Sequence, residues 1–413
     1  MKPTYKTYII ILLCLASVSL SAKNIFVKST TGTTPYKKFE NAIKNANAGD
    51  VIILDLNIPF NAGDKTITIT KGITIRGANK PNDRYKLIRK AINGNRSKGN
   101  ILLIRSSNVT IENINLVIYD NTGYKAIDVG LPANRKVMYS NLKFIDCNFV
   151  QKNARDTARG LFFEGSFKNI LVKNCKFNFW FGLVARDCPT LDNFKITECE
   201  FSNGSHQISF DGALLDENDP TYGIGERLTK HNNIIIEKSK FKISKSFNIA
   251  LANTHNVIIR NNSQIDGGTE SYSQPIHIED RCKNISITGN KMKSKQVAIL
   301  LFSTGKVGHG QGRNFTEAEK KAKGSGNVII TNNIIDADLD AVSATYLNGY
   351  LTLKGNNTIT SRKKALNVRR SNTNTSLKIA DETRMKGKLY SDIKNEPLKI
   401  KRDIYYVSDI KAE

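Results

Sequence analysis

Short strand-like segments that open on Asn recur along the chain. They read "NVTIENI" from 108, "NLKFIDCNF" from 141, "NILVKNCKF" from 169, "NFKITECEF" from 193, "NIIIEKSKF" from 233, "NVIIRNNSQI" from 256, "NISITGNKM" from 284 and "NVIITNNII" from 327. "YLTLKGNNTI" from 350 follows the same pattern. Within them every second residue is apolar, so Ile170 and Val172, Phe194 and Ile196, Ile234 and Ile236, and Val257 and Ile259 point to one side. Most intervals are 23 to 28 residues, and two are stretched to 40 and 43. A unit of that size cannot bury a core alone, so the period signals a stacked solenoid.

A second strand precedes each of these segments: "GLFFEG" from 160, "GLVARD" from 182, "QISFDG" from 207, "NIALAN" from 248, "PIHIED" from 275, "AILLFS" from 298, "AVSATY" from 341 and "ALNVRR" from 365. Its second and fourth residues are apolar and face in; its third and fifth face out. Six residues after each Asn-type opening runs another column, Cys147, Cys175, Cys199, Ser239, Asn262, Asn290, Asn333 and Asn356. Stacked at an internal turn, the cysteines read as small buried fillers and the asparagines as a hydrogen-bonded ladder. Two strands per coil and about ten coils predict an all-β parallel β-helix over 23–370, one domain with one interior. Phe39, Ala42, Ile43 and Ala46 lie at helical spacing in "TPYKKFENAIKNANAGD", predicting an amphipathic helix that caps the open end. Residues 371–413 lose the repeat and are expected to cap the other end.

Residues 1–22, with Lys2 and Lys6 before "YIIILLCLASVSL" and small residues after it, have the form of a secretory signal peptide. No later segment is apolar enough to span a membrane, so the expected location is secreted or periplasmic, without stable membrane insertion. Sixty-two Lys and Arg against 37 Asp and Glu give a net charge of +25, which favours an anionic partner: polysaccharide, nucleic acid or an anionic surface. The five remaining cysteines, Cys147, Cys175, Cys188, Cys199 and Cys282, have no metal-ligand spacing and are too sparse for a disulfide scaffold. Pairing of Cys188 with Cys282 stays open.

These coils resemble the right-handed parallel β-helix family of exported carbohydrate-active proteins, polysaccharide lyases in particular, over roughly residues 24–370. The resemblance implies a right-handed solenoid and a monomer acting on an anionic polysaccharide rather than on nucleic acid. The same scaffold carries hydrolases, epimerases and phage spikes, so the activity must be argued from the site. The leading expectation is a lyase cleaving a uronate-containing polymer (alginate, a glycosaminoglycan or pectate) by β-elimination. The alternatives are a glycoside hydrolase, a C5-epimerase, or a non-catalytic binder or adhesin.

The outward columns of the second strand locate the chemistry. One runs Phe162, Val184, Ser209, Ala250, His277, Leu300, Ser343, Asn367; the other runs Glu164, Arg186, Asp211, Ala252, Glu279, Phe302, Thr345, Arg369. Small residues beside His277 and Glu279 leave room for a ligand. Insertions at 213–232 and 304–326 leave the turn after this strand and would wall a groove around Asn253 and His277–Arg281. The first holds Asp216, Glu217, Asp219, Tyr222, Glu226, Arg227, Lys230 and His231; the second holds a short basic helix. Elimination needs the substrate carboxylate neutralised, a base at the carbon alpha to it, and an acid at the leaving oxygen. The candidate catalytic residues are His277, Lys230, Tyr222 and Arg281. Arg227, Asn253, Glu279, Asp211 and Arg186 are the candidate substrate-binding residues. Ca²⁺ is a possible cofactor, but His-x-Glu stands where calcium-dependent lyases of this fold present paired carboxylates. No cofactor is therefore the expectation, with the metal ligands unassigned.

Overall fold

The computed structural model describes residues 22–28, 35–55, 60–61, 65–78, 85–89, 99–119, 125–131, 137–152, 158–186, 188–211, 230–303, 314–380 and 382–393. Strands pair in parallel from coil to coil, making a right-handed parallel β-helix with an interior packed along its length. The first face carries the Asn-led strands in a thirteen-stranded sheet, which begins at Asn24–Lys28 and ends at Ser376–Ile379. Ile170, Phe194, Ile234, Val257, Ile285, Val328 and Leu351 lie in one register row and point inward. Pairing continues past 370, through Arg384–Ser391, so the expected change to a cap at 371 falls within a further coil.

Among the described residues most coils have three strands, where two were expected. The additional face is built from short strands such as Asn148–Gln151, Lys176–Asn178, Glu200–Ser202 and Lys240–Ser244. Three to five residues are too few to display an alternating period. Each strand commits one large inward side chain, and Phe149, Phe177, Phe201 and Phe241 stack with centroids 4.5, 4.7 and 4.9 Å apart. The third face holds the strands of the "PIHIED" set, with Gln274–Glu279 at its middle.

The corners explain the asparagines. Asn108, Asn141, Asn169, Asn193, Asn233, Asn256, Asn284 and Asn327 all have φ between 52° and 59°, the left-handed region that Asn tolerates better than most residues. Their amides join neighbouring coils: Asn141 Nδ2 donates to Asn108 Oδ1 at 2.9 Å, Asn169 to Asn141 at 3.1 Å and Asn284 to Asn256 at 3.0 Å.

Inside the next corner runs the second ladder. Backbone N–H groups of Ser239, Asn262, Asn290 and Asn333 donate to the side-chain oxygens of Asn262, Asn290, Asn333 and Asn357 at 2.9–3.1 Å. The Nδ2 groups of Asn262, Asn290, Asn333 and Asn357 return to core-strand carbonyls of the preceding coil. Asn357, not Asn356, occupies the last of these places; the corner at Gly355 holds one residue more, turned by Asn357 N–H on Gly355 O at 2.8 Å. Gly355 itself has φ +65°, and a Cβ there would lie 2.5 Å from Asn332 Oδ1. Cys147, Cys175 and Cys199 continue this column as buried, free thiols, in keeping with a filling role. Substituting Asn290→Ala strands the buried N–H of Asn262, and is expected to cost about 1–3 kcal/mol in chemical denaturation. Asn115→Ala, on a half-buried second-face position, serves as the comparison.

The helix Pro35–Asn45 forms as its spacing predicts, with Phe39, Ala42, Ile43 and Ala46 all buried against the first coils. Among the described residues no helix is long and apolar enough to cross a membrane. Of the expected signal segment 1–22, residues 1–21 lie outside the described residues.

Candidate active site

The outward columns stand in the register that the sequence pattern predicts. Phe162, Val184, Ser209, Ala250, His277, Leu300, Ser343 and Asn367 are paired in order, and so are Arg186, Asp211, Ala252, Glu279 and Phe302. His277 stands between Ala250 and Leu300, with its Nδ1 2.9 Å from Gln274 Oε1 and its Nε2 3.6 Å from Glu279 Oε2. Its ring stacks on Phe247 at 4.1 Å, and Phe302 lies 5.8 Å away on the other side. With the Gln274 oxygen accepting, Nδ1 carries the proton and Nε2 presents its lone pair toward Glu279. A ring held at Nδ1 and stacked on one face has a single orientation, which a base needs before substrate arrives.

One outward column escapes the period-two reading. Arg159, Phe181, His206, Phe247 and Gln274 are in register, one position before Gly160, Gly182, Gln207, Asn248 and Pro275. Those intervening residues break the alternation, so the column sits two residues before the first inward side chain instead of one. The signal was a recurring aromatic, His or Arg at that offset. Phe181 lies 5.1 Å from His206, and the His206 ring meets Phe247 edge-on at 4.8 Å. Burial, reinforced by the charges of His277 and Arg186, lowers the His206 pKa to about 4, so its ring is neutral near pH 7.

Asp211 sits two coils from Glu279 in the same column and pairs with Arg186 at 3.4 Å. Asn253 is buried in the turn after its strand, its N–H donating to Asp280 O at 2.8 Å, so it braces the site from beneath. Arg281 follows Asp280 in that turn of the next coil; its N–H donates to Lys323 O at 2.6 Å and its carbonyl meets His255 Nε2 at 3.0 Å. Tyr222 and Arg227 lie outside the described residues, as does the side chain of Lys230, whose backbone opens the strand Lys230–Glu237. The groove wall expected from 213–232 therefore lies almost wholly outside them too.

The described part of the second insertion contains the expected short helix, Glu317–Ala322. Thr316 caps it: its Oγ1 accepts from Glu319 N–H at 3.2 Å, while Glu319 Oε2 accepts from Thr316 N–H at 2.7 Å. At its end Lys323 is fully buried, 2.9 Å from Asp280 and 3.8 Å over the Phe315 ring. Ser303 Oγ donates to the other Asp280 oxygen at 3.1 Å. Asp280 thus belongs to an anchor for the insertion, not to the charged outer face of its strand.

His231, grouped by sequence with the first insertion's reactive residues, faces the core and is fully buried beside Phe210. Burial lowers its pKa to about 4, against the opposing pull of Asp211. The unfolded chain takes up that proton near pH ~6.5, so the native state is favoured fully above that value and progressively less as pH falls to about 4. The loss from His231 alone is about 3 kcal/mol across that window. His231→Leu is expected to flatten the dependence of unfolding free energy on pH by that amount; an unchanged slope would assign acid sensitivity elsewhere.

Among the described residues no group of three or more His, Cys, Asp or Glu is placed to hold a metal ion. Glu279 is flanked in register by Ala252 and Phe302, so that position offers Ca²⁺ one carboxylate where several oxygen ligands are needed. Cys188 and Cys282 are both buried free thiols, and burial raises the Cys282 pKa to about 12.

No family model and no curated protein matches the sequence. Solved structures similar to it include the Dettilon tailspike protein, at 13% identity and TM-score 0.41 over 87% of this chain and 68% of that one. An alginate lyase from Paenibacillus sp. is 13% identical with TM-score 0.37, over 88% of this chain and 99% of that one. A GH136 lacto-N-biosidase from Eubacterium ramulus is 11% identical with TM-score 0.42, over 89% and 68%.

Proposed function

We propose that the protein is a polysaccharide lyase that cleaves a uronate-containing polymer by β-elimination on its third face. The observation that carries this reading is His277: stacked on Phe247, held at Nδ1 by Gln274, and open at Nε2 beside Glu279, with alanines in the adjoining coil. Nε2 takes the proton alpha to the substrate carboxylate, and Glu279 stabilises the imidazolium that results. The electron pair released from that C–H bond forms the C4=C5 double bond as the C4–O bond breaks. The leaving oxygen takes a proton from Tyr222 or Lys230. Arg281 and Arg227 are assigned to the substrate carboxylate, and the net charge of +25 favours an anionic polymer near the site. Export to the periplasm or medium belongs to the same reading.

A second reading has a specific observation behind it. Asp211 and Glu279 share a column two coils apart, ~9.5 Å at the usual strand spacing, within the range of an inverting glycosidase pair. The test is to incubate the protein with alginate, pectate, chondroitin, heparan and hyaluronan while following ultraviolet absorbance and reducing ends. Rising absorbance on one polymer supports elimination. New reducing ends without it overturn elimination for hydrolysis, and polymer binding with neither signal overturns it for a non-catalytic binder.

A further inference from the structure

At the N-terminal side of His277 the same face carries a second concentration of charge. Arg105 lies 3.7 Å from Asp128, Lys125 lies 3.3 Å from Asp128 and 2.8 Å from Glu164, and Arg186 lies 3.4 Å from Asp211. With Arg159 this makes four cations facing three carboxylates. Arg159 is the one left over: among the described residues its guanidinium makes no ion pair and no hydrogen bond. It is held by rings instead, 4.8 Å over Phe162 and 5.6 Å over Phe181. Lys125 covers Phe162 as well, at 4.0 Å. The Arg159 side chain is half-buried, and desolvation together with the charge of Arg186 lowers its pKa against the opposing pull of Glu164 and Asp128.

Among the described residues, this half-buried guanidinium feels the charges of Glu164 and Asp128 but touches no carboxylate. Stacking fixes the plane of the group while leaving its N–H edge free for a planar, bidentate acceptor. Its place in the fold gives the acceptor's identity. Arg159, Phe181, His206, Phe247 and Gln274 are successive members of one outward column, so Arg159 stands four coils from the coil of His277, ~19 Å along the axis. The rings between them form a nearly continuous aromatic and imidazole track. An extended sugar chain lying along that track would rest pyranose faces on the rings.

We infer that Arg159, seated on Phe162 and Phe181, is a distal subsite for the carboxylate of a uronate unit several sugars from the bond at His277. The inference rests on the functional reading above and adds a chain-length requirement to it. Short oligomers engage only the His277 end, whereas longer ones reach Arg159 and bind more tightly.

The experiment compares the full chain with Arg159→Met, which keeps the stem against the rings, and Arg159→Lys, which keeps the charge. Binding is measured by calorimetry with size-fractionated oligomers, from disaccharide to octasaccharide, of alginate, polygalacturonate and chondroitin. Turnover of the same oligomers is followed in parallel. Wild type is expected to gain about tenfold in affinity once the oligomer spans the four coils. Arg159→Met loses that gain and leaves the shorter oligomers unchanged; Arg159→Lys keeps part of it. Equal affinity of wild type and Arg159→Met for the long oligomers, at equal melting temperatures, overturns the subsite. If elimination is observed with that result, only the subsite falls. If the length-dependent gain appears without elimination, the subsite stands and the lyase reading falls. Absence of binding by any oligomer overturns both.

Discussion

His277→Gln is expected to lower the rate of polymer cleavage about 10²–10⁴-fold, the range for removal of a positioned general base. Glutamine retains an amide that can meet Gln274 and a stem that can lie against Phe247, so the melting temperature should scarcely move. A purely structural role for His277 predicts the reverse pattern, a lowered melting temperature with activity preserved in whatever fraction stays folded. Glu279→Gln separates the two further. It keeps the shape but removes the carboxylate facing Nε2 at 3.6 Å, so the cleavage rate should fall while the melting temperature holds. Activity of His277→Gln within threefold of wild type would remove His277 from the chemistry.

Lys323→Met is expected to have the largest effect on stability. It leaves Asp280 buried beneath the second insertion with its cation gone, and breaking one side of a buried pair costs about 3–5 kcal/mol. Hydrogen exchange should localise the change, with protection lost over 314–326 and in the turn at Asp280 while the first-face core keeps its own. The double variant Lys323→Met with Asp280→Asn should recover much of the loss, because Asn keeps an acceptor for Ser303 and tolerates the positive φ at 280. A single variant that unfolds within about 1 kcal/mol of wild type would remove the Lys323–Asp280 pair as the anchor of the insertion.

Much of this architecture is legible in the residue pattern, because a solenoid repeats its instructions. Inward rows such as Ile234–Val257–Ile285 and outward rows such as Ala250–His277–Leu300 follow from alternation alone, since adjacent coils share one register. The capping helix is legible for the same reason: Phe39, Ala42, Ile43 and Ala46 have a period that no strand shares. The short face is not, because a strand with one inward Phe contains no period. The Arg159–Gln274 column is hidden by the break in alternation at Gly160, Gly182, Gln207, Asn248 and Pro275. Gln274 and Phe247, which orient His277, belong to that hidden column. Asp280 misleads for another reason. Its partner Lys323 is 43 residues away, across an insertion, and no local spacing announces a buried pair between them.

The left-handed asparagine corners have a consequence for how such a chain can change. The coils that open at Asn108, Asn141, Asn169, Asn193, Asn233, Asn256, Asn284 and Asn327 all turn through the same backbone conformation. Cutting at Asn233 and Asn256, or at Asn256 and Asn284, and rejoining the ends removes 23 or 28 residues and restores an identical seam. Losing one residue inside a strand would instead turn its core side chains outward. The molecule therefore has two reading frames, and only the longer one can slip harmlessly. Heredity can lengthen or shorten the track between Arg159 and His277 by whole coils, through duplication or excision, without redesigning either end.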